Sequence, residues 1–223
     1  MSKDIILIGS SSELAIEFDK KIKNVFRIHK ISSKKNSNPD LLIGDYIADQ
    51  EEIVGFIGNF INPYVIFFNG YLKENRPYFS PSLEEVFKTF KVNFQIPLFL
   101  TKKIKNNKLS AKYIYISSIA SVKAREKNFI YGIAKKRLEK EVNELGINAL
   151  FLKFGKIRTN MSDDHSDPPF TLEKVNAAML LIDSIEKKGV VYPTLGLKLM
   201  AILIKIFPLR ILDLIERTSL KKN

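Results

Sequence analysis

The chain has no cysteine, no tryptophan and only two histidines, His29 and His165, among 223 residues. Without cysteine there is no disulfide, no thiolate nucleophile and no Cys-ligated metal. Two histidines are too few for a histidine-built metal site. No run of about 20 apolar residues occurs, so no membrane-spanning helix is predicted. The first apolar run, Ile5 to Gly9, is too short for the core of a secretory leader. With the lack of cysteine, this points to a cytoplasmic protein. Acidic residues are also scarce, 24 against 36 Lys and Arg, for a net charge of +12. A basic chain attracts nucleic acid, anionic lipid or phosphorylated ligands. No nucleic-acid motif is present and aromatics do not interleave with the basic residues, so nucleic acid is not expected as a partner.

What is present is a regular alternation of apolar strands and amphipathic helices. The pattern predicts strands at Asp4–Ile8, Val25–Ile31, Leu41–Ile43, Tyr64–Phe68, Lys112–Ile116, Ile147–Phe154 and Gly189–Tyr192. Helices are predicted from Leu14 onward and over Asp49–Phe60, Leu83–Asn106, Phe129–Leu145 and Leu172–Lys187. Strand-helix alternation of this kind gives an α/β fold, a Rossmann-type doubly wound parallel sheet with helices on both faces. It accounts for residues 1–193 as one domain and leaves 194–223 as an amphipathic helical extension.

The first strand runs into Gly9-Ser10-Ser11-Ser12-Glu13-Leu14 and then a helix. Strand, small-residue turn and helix form the layout of a dinucleotide phosphate site. Gly permits the tight turn, and the helix N-terminus offers free N–H groups to a pyrophosphate. After the second strand an acid would hold the ribose of NAD. Ser32, Ser33 and Lys34, with Lys35, stand there instead. Hydroxyls and ammonium groups suit a 2′-phosphate, which favours NADP(H) over NAD(H).

Tyr131 and Lys135 are four residues apart, about 6 Å along a helix and on one face. An ammonium so placed favours the phenolate and is expected to lower the Tyr pKa, tuning it for proton exchange with a carbonyl or alcohol oxygen. Ser118 lies thirteen residues upstream of Tyr131 at a predicted strand end, within reach of the same oxygen.

Together these residues resemble the short-chain dehydrogenase/reductase family. The resemblance implies that Ser118, Tyr131 and Lys135 are catalytic, with Asn93 as the fourth catalytic position. Pro97, lacking an N–H, would leave the Asn93 carbonyl free to hold a water. It further implies that Asp45 bonds the adenine amino group and that Asn69-Gly70 lines the adenosine. Gly155, Ile157 and Thr159 would form the loop over the nicotinamide, and Ser162–Phe170 a substrate lid. The chain departs from the family pattern at Ile8, Glu13, Ala15, Tyr71 and Phe154. The Glu13 turn is similar to that of reductases acting on lipid-linked keto-sugars. Family members pair through their two long helices, implying a dimer or tetramer.

The tail Leu195–Leu220 carries Lys198, Lys205, Asp213, Glu216 and Arg217 in one sector and mostly Leu and Ile elsewhere. Pro208 is expected to kink it. So wide an apolar face fits a helix lying on a membrane surface; a cover over the substrate cleft and a dimer contact are the other readings. The expected activity is NADP(H)-dependent reduction of a ketone, with a keto-sugar, free or lipid-linked, as one substrate class. The alternative is a dinucleotide-binding regulator or scaffold without turnover.

Overall fold

The computed structural model describes residues 3–22, 26–73, 81–163 and 167–220, with side chains as far as Leu214. The sheet is built from β1 (Asp4–Ile8), β2 (Arg27–Ser32), β3 (Leu41–Leu42), β4 (Tyr64–Phe67), β5 (Lys112–Ser118) and β6 (Ala149–Phe154). Two short strands, β7 (Ile157–Arg158) and β8 (Leu172–Glu173), pair separately, and β9 (Gly189–Val191) closes the far edge. The order is β3-β2-β1-β4-β5-β6-β9, every pair parallel. This is the doubly wound parallel sheet that the alternation predicts.

Successive strand residues point to opposite faces, and both faces are covered. Ile5 and Leu7 pack under α1 (Glu13–Ile22) and α6 (Lys174–Ile182) with Leu14, Phe18, Ala177 and Leu181. Ile6 and Ile8 pack under α2 (Gln50–Gly58), α4 (Ile96–Asn106) and α5 (Phe129–Glu144) with Ile53, Ile57, Ile104 and Leu138. A parallel sheet buried on two sides needs continuous apolar strands, which is why β1 and β4 carry no alternation. Phe67, Tyr115 and Phe151 stack across three adjacent strands at 5.0 and 5.1 Å between centroids. Each such pair contributes about 0.5–1.5 kcal/mol beyond area burial. The buried Tyr115 hydroxyl meets Thr101 Oγ1 at 2.6 Å and so keeps a partner.

The predicted single helix Leu83–Asn106 is in fact three pieces. α3 (Leu83–Phe90) starts with a Ser82–Glu85 capping box, a five-residue π turn (Lys91–Gln95) follows, and α4 completes it. The Ile96 N–H bonds the Lys91 carbonyl, and Pro97 has no N–H to close on Asn93. The proline therefore widens the helix rather than breaking it. The predicted helix Leu172–Lys187 begins as β8 and ends at Ile182.

Pro208 splits the tail into α7 (Leu195–Ile206) and α8 (Leu209–Leu220). α7 buries Leu197 and Ile204 against Ile119 in the loop after β5, with Val122 alongside. Lys123 Nζ caps its end by donating to the carbonyls of Lys205 (3.0 Å) and Phe207 (2.7 Å). The tail is thus tied to the loop that leaves Ser118. Its outer face stays apolar and exposed: Leu195, Leu199, Ile202, Leu203 and Ile206. The expected strand start at Val25, His165 in the lid segment, and Lys221 and Lys222 lie outside the described residues, as do the side chains of Glu216 and Arg217.

Candidate functional site

Strand order reverses between β1 and β4, and a parallel sheet opens a crevice at the carboxyl ends of such strands. A cavity of about 540 Å³ occupies that place. At one end it is lined by Ser11, Ser12, Glu13 and Leu14 at the N-terminus of α1, with Lys34 beside them. At the other end are Ser118, Tyr131 and Lys135. Asn69, Gly70, Gly155, Ile157 and Thr159 line the walls between.

Gly9 makes the turn possible. Its φ is +81°, and a Cβ there would lie 3.2 Å from both the backbone N and Nδ2 of Asn69. The turn is therefore pressed against the end of β4. Asn69 hydrogen-bonds Tyr46 through its side chain, while its Oδ1 is buried with no hydrogen-bond partner among the described residues. A buried acceptor in the cavity wall is a site for a ligand donor.

The Ser118 Oγ accepts the Ala120 N–H at 3.2 Å and is hydrogen-bonded with the Tyr131 side chain. β5 delivers Ser118, and the first turn of α5 delivers Tyr131, with Gly132 packed so tightly that a Cβ would meet the Ala120 carbonyl at 2.8 Å. Lys135 Nζ lies 5.7 Å from the Tyr131 ring centroid and donates to the Ile116 carbonyl at 3.0 Å. The expected lowering of the Tyr131 pKa is not found. Burial pushes the phenol up to about 12, against the Ser118 hydrogen bond. Burial also takes the Lys135 ammonium down to about 8, with Glu139 acting against it. Desolvation outweighs the proximity argument because both groups are enclosed.

Several predicted residues are placed elsewhere. Asp45 does not line the cavity: its carboxylate takes Lys91 Nζ at 2.6 Å and the N–H groups of Ile47 and Ala48, and Lys91 holds its pKa below the usual range. With these partners Asp45 braces its own loop. The Asn93 side chain is wholly buried outside the cavity, donating to the Tyr71 carbonyl at 2.7 Å and the Thr89 carbonyl at 3.0 Å. It fixes the loop after β4. Ser10 turns toward Ser37 (3.1 Å), and Ser32 accepts the Lys34 N–H; neither they nor Gly9 and Ser33 line the cavity. Of Ser32, Ser33, Lys34 and Lys35, the residues expected at the 2′-phosphate, only Lys34 lines the cavity.

Glu13 does line the cavity, but its carboxylate spans the cleft to the Asn160 N–H and Lys174 Nζ, each at 2.9 Å. Burial raises its pKa, and these two partners more than offset that and hold it low. A partner 161 positions away leaves no local signal in sequence. Arg125, Lys127, Lys156 and Met200 also line the cavity. Lys and Arg in the lining number five against a single acid, Glu13. Two of them, Arg125 and Lys127, closely follow Ser118 in sequence, and that proximity was the available clue.

No family model matches the sequence. The fold matches solved structures throughout its length. A short-chain dehydrogenase from Burkholderia cenocepacia, solved in complex with NADP, superposes with a TM-score of 0.75 at 13% identity, over 93% of this chain and 98% of that one. The carbonyl reductase Sniffer of D. melanogaster gives 0.71 at 17%, over 86% and 97%. A short chain dehydrogenase from Salmonella enterica serovar Typhi gives 0.73 at 15%, over 86% and 96%. At these identities the likeness establishes the fold: the chain has the architecture of the short-chain dehydrogenases and reductases.

Proposed function

We propose that this chain is a short-chain oxidoreductase that binds NADP(H) and reduces a ketone. The observation that carries the reading is one cavity with a helix N-terminus and Lys34 at one end and the hydrogen-bonded Ser118–Tyr131 pair beside Lys135 at the other. Five cationic side chains against one acid suit a polyanionic ligand. The orphaned Asn69 Oδ1 and the Gly9 turn fit a dinucleotide.

When bound, the reduced dinucleotide supplies the hydride to a carbonyl carbon. The N–H groups at the start of α1 hold the pyrophosphate, and Lys34 the 2′-phosphate. Gly155, Ile157 and Thr159 fix the ring, and Lys135 holds the adjoining ribose. Ser118 donates a hydrogen bond to the carbonyl oxygen, and Tyr131 gives it a proton. Burial keeps the Tyr131 phenol protonated at neutral pH, so its proton is present to be given. Asn93 serves by fixing the Tyr71 loop through its amide.

A keto-sugar, free or lipid-linked, is the substrate class we favour. Met161 and Met200 beside Arg125 and Lys127 offer apolar and cationic contacts together. The exposed apolar face of α7, flanked by Lys198 and Lys205, suits a membrane surface as the place where such a substrate is met. Among the described residues no helix is long and apolar enough to span a membrane. Exposed Leu83, Phe87 and Phe99 along α3 and α4, with Phe129 at the start of α5, suit a dimer or tetramer contact. The deciding experiment is dinucleotide titration by fluorescence, followed by NADPH oxidation with a panel of ketones including keto-sugars. Tyr131→Phe is expected to keep dinucleotide affinity and lose turnover by about a hundredfold or more. Turnover within about threefold of wild type removes Tyr131 from the mechanism.

A further inference from the structure

Behind the wall that carries Ser118 and Tyr131 lies a buried ion pair, Glu139 with Lys153, that the proposed reaction does not touch. Tyr131, Lys135 and Glu139 follow one another at single-turn spacing on one face of α5. Glu139 is only 9% exposed. Its Oε1 accepts the hydroxyls of Ser117 at 2.5 Å and Ser121 at 2.7 Å. Its Oε2 meets Lys153 Nζ, from β6, at 2.7 Å. Ser117, Ser121 and Lys153 are themselves buried. Ser121 Oγ also lies 2.7 Å from the Ser118 carbonyl oxygen. One carboxylate therefore grips the chain on both sides of Ser118.

The charged and titratable groups that face this carboxylate are Lys153 from β6, Lys135 on its own helix and Tyr192 after β9. α3, the π turn and α4 also pack on α5. Lys88 of α3 lies over the Tyr71 ring, Lys91 pairs with Asp45, and Lys102 pairs with Glu141. Two buried ammonium groups thus share one buried carboxylate. A buried cation without a counter-charge is strongly disfavoured. The Lys135 pKa, already down to about 8 by burial, has Glu139 as its opposing influence.

We propose that Glu139 is a positioning residue of the reaction, fixing the backbone on either side of Ser118 and serving as the counter-charge that keeps Lys135 an ammonium. This rests on the reading of Ser118, Tyr131 and Lys135 as the reacting groups.

Four variants test it: Glu139→Gln, Lys153→Met, the two changes combined, and Glu139→Asp. Gln keeps the size and an acceptor for the serines. The double variant also removes the lysine that Gln would leave without its charge partner, so it stays falsifiable if the single variant does not fold. The first readout is the Lys135 titration followed by lysine 13Cε NMR on the protein without added cofactor or substrate. The second is the pH profile of kcat and KM for NADPH-dependent ketone reduction. Glu139→Gln is expected to make Lys135 deprotonate about one pH unit lower, in the parent protein and again when it is added to Lys153→Met, because a favourable charge is gone. At pH 8 its ammonium fraction then falls from about half to about a tenth. The basic limb of kcat moves down with it while KM changes less than threefold. Glu139→Asp retains the charge and is expected to keep the Lys135 titration while losing kcat through its shorter reach to Ser117 and Ser121. An unchanged Lys135 titration between Lys153→Met and the double variant overturns the counter-charge, whatever the activity. A shifted titration with an unmoved rate profile overturns the proposal by a different route, showing that Lys135 is not a reacting group.

Discussion

Gly132→Ala probes the junction on which the candidate site depends. Gly132 follows Tyr131 on α5, and an added Cβ would lie 2.8 Å from the Ala120 carbonyl oxygen and 3.1 Å from the Ala124 Cα. Both are backbone atoms, so no side chain can swing away. Restoring ordinary contact at about 3.4 Å requires helix and loop to part by roughly 0.6 Å. That loop begins at Ser118, so the movement lengthens the Ser118–Tyr131 hydrogen bond. Overpacking of this kind costs about 1–3 kcal/mol, and the helix propensity gained from Gly to Ala returns about 1. The net loss is about 0–2 kcal/mol, a Tm lower by up to roughly 8 °C for a chain of this size. A misplacement of about half an ångström at the reacting groups costs on the order of tenfold in kcat.

Gly55→Ala is the internal control. Gly55 lies inside α2, and an added Cβ there meets nothing within 4 Å. It gains propensity alone, about 1 kcal/mol, and its Tm is expected to rise by roughly 2–4 °C. Thermal melts of the two variants, with NADPH oxidation at saturating ketone, measure the difference directly. If Gly132→Ala melts as high as Gly55→Ala and keeps full activity, the helix–loop junction is compliant and the argument for a rigid Ser118–Tyr131 geometry fails.

Lys135→Met is expected to abolish activity yet raise stability at pH 7 by up to about 3 kcal/mol, since a folded pKa near 8 against 10.5 means that burial opposes the charge. The sign follows from linkage: between pH 8 and 10.5 the unfolded chain binds a proton the folded one lacks, so Lys135 makes wild-type stability rise over that window. Urea denaturation at pH 7 and 9.5 should show a smaller rise in the variant, and an unchanged difference between the two pH values refutes the buried-charge assignment. Above pH 10 Tyr131 acts oppositely, its folded pKa near 12 removing stability as the unfolded phenol ionises. Changing Lys34 and Lys35 together to Ala should weaken NADPH at least tenfold and NADH little, all of it attributable to Lys34; equal losses by fluorescence titration would put both outside the phosphate site. Deleting residues 195–223 should abolish sedimentation with anionic vesicles and, because α7 packs on Ile119, also impair ketone turnover. Full-length protein that stays in the supernatant with every lipid mixture ends the membrane reading.

The sheet was legible because its strands are apolar on both faces and separated by helical patterns, a signal that needs no partner information. Ser118, Tyr131 and Lys135 were legible for a similar reason: two are one helical turn apart and the third ends a strand. The π turn at Lys91–Gln95 was only half visible, since Pro97 announces a lost hydrogen bond but not whether the helix breaks or widens. The Asp45 brace, the Glu13 bridge and the inward turn of Asn93 depend on partners 46, 147 and 22 positions distant. No local pattern encodes them. The raised Tyr131 pKa escaped for a different reason. Spacing shows how near a charge lies, whereas enclosure depends on the whole fold, and here enclosure is the larger effect.

The sheet separates two kinds of polar cluster by its ends. At the amino ends of the strands, Asp4 holds Arg27 and His29 at 2.7 and 2.9 Å, and Glu186 joins Lys3 and Tyr64. There the charges are met by direct partners, and both carboxyls are held low. At the carboxyl ends the arrangement is reversed. Tyr131 and Lys135 are enclosed and pushed toward their neutral forms, and Asn69 Oδ1 is buried without a partner. The topology explains the placement. A crossover from β5 returns over the sheet to β6, so α5 must start where β5 ends. Its first turn then meets the last residue of that strand, which brings Tyr131 to Ser118. Lys135 follows one turn deeper and Glu139 two, down a single helix face. Tyr131, Lys135 and Glu139 are therefore ordered by depth from the cavity, and each change along that line should act on the residue above it.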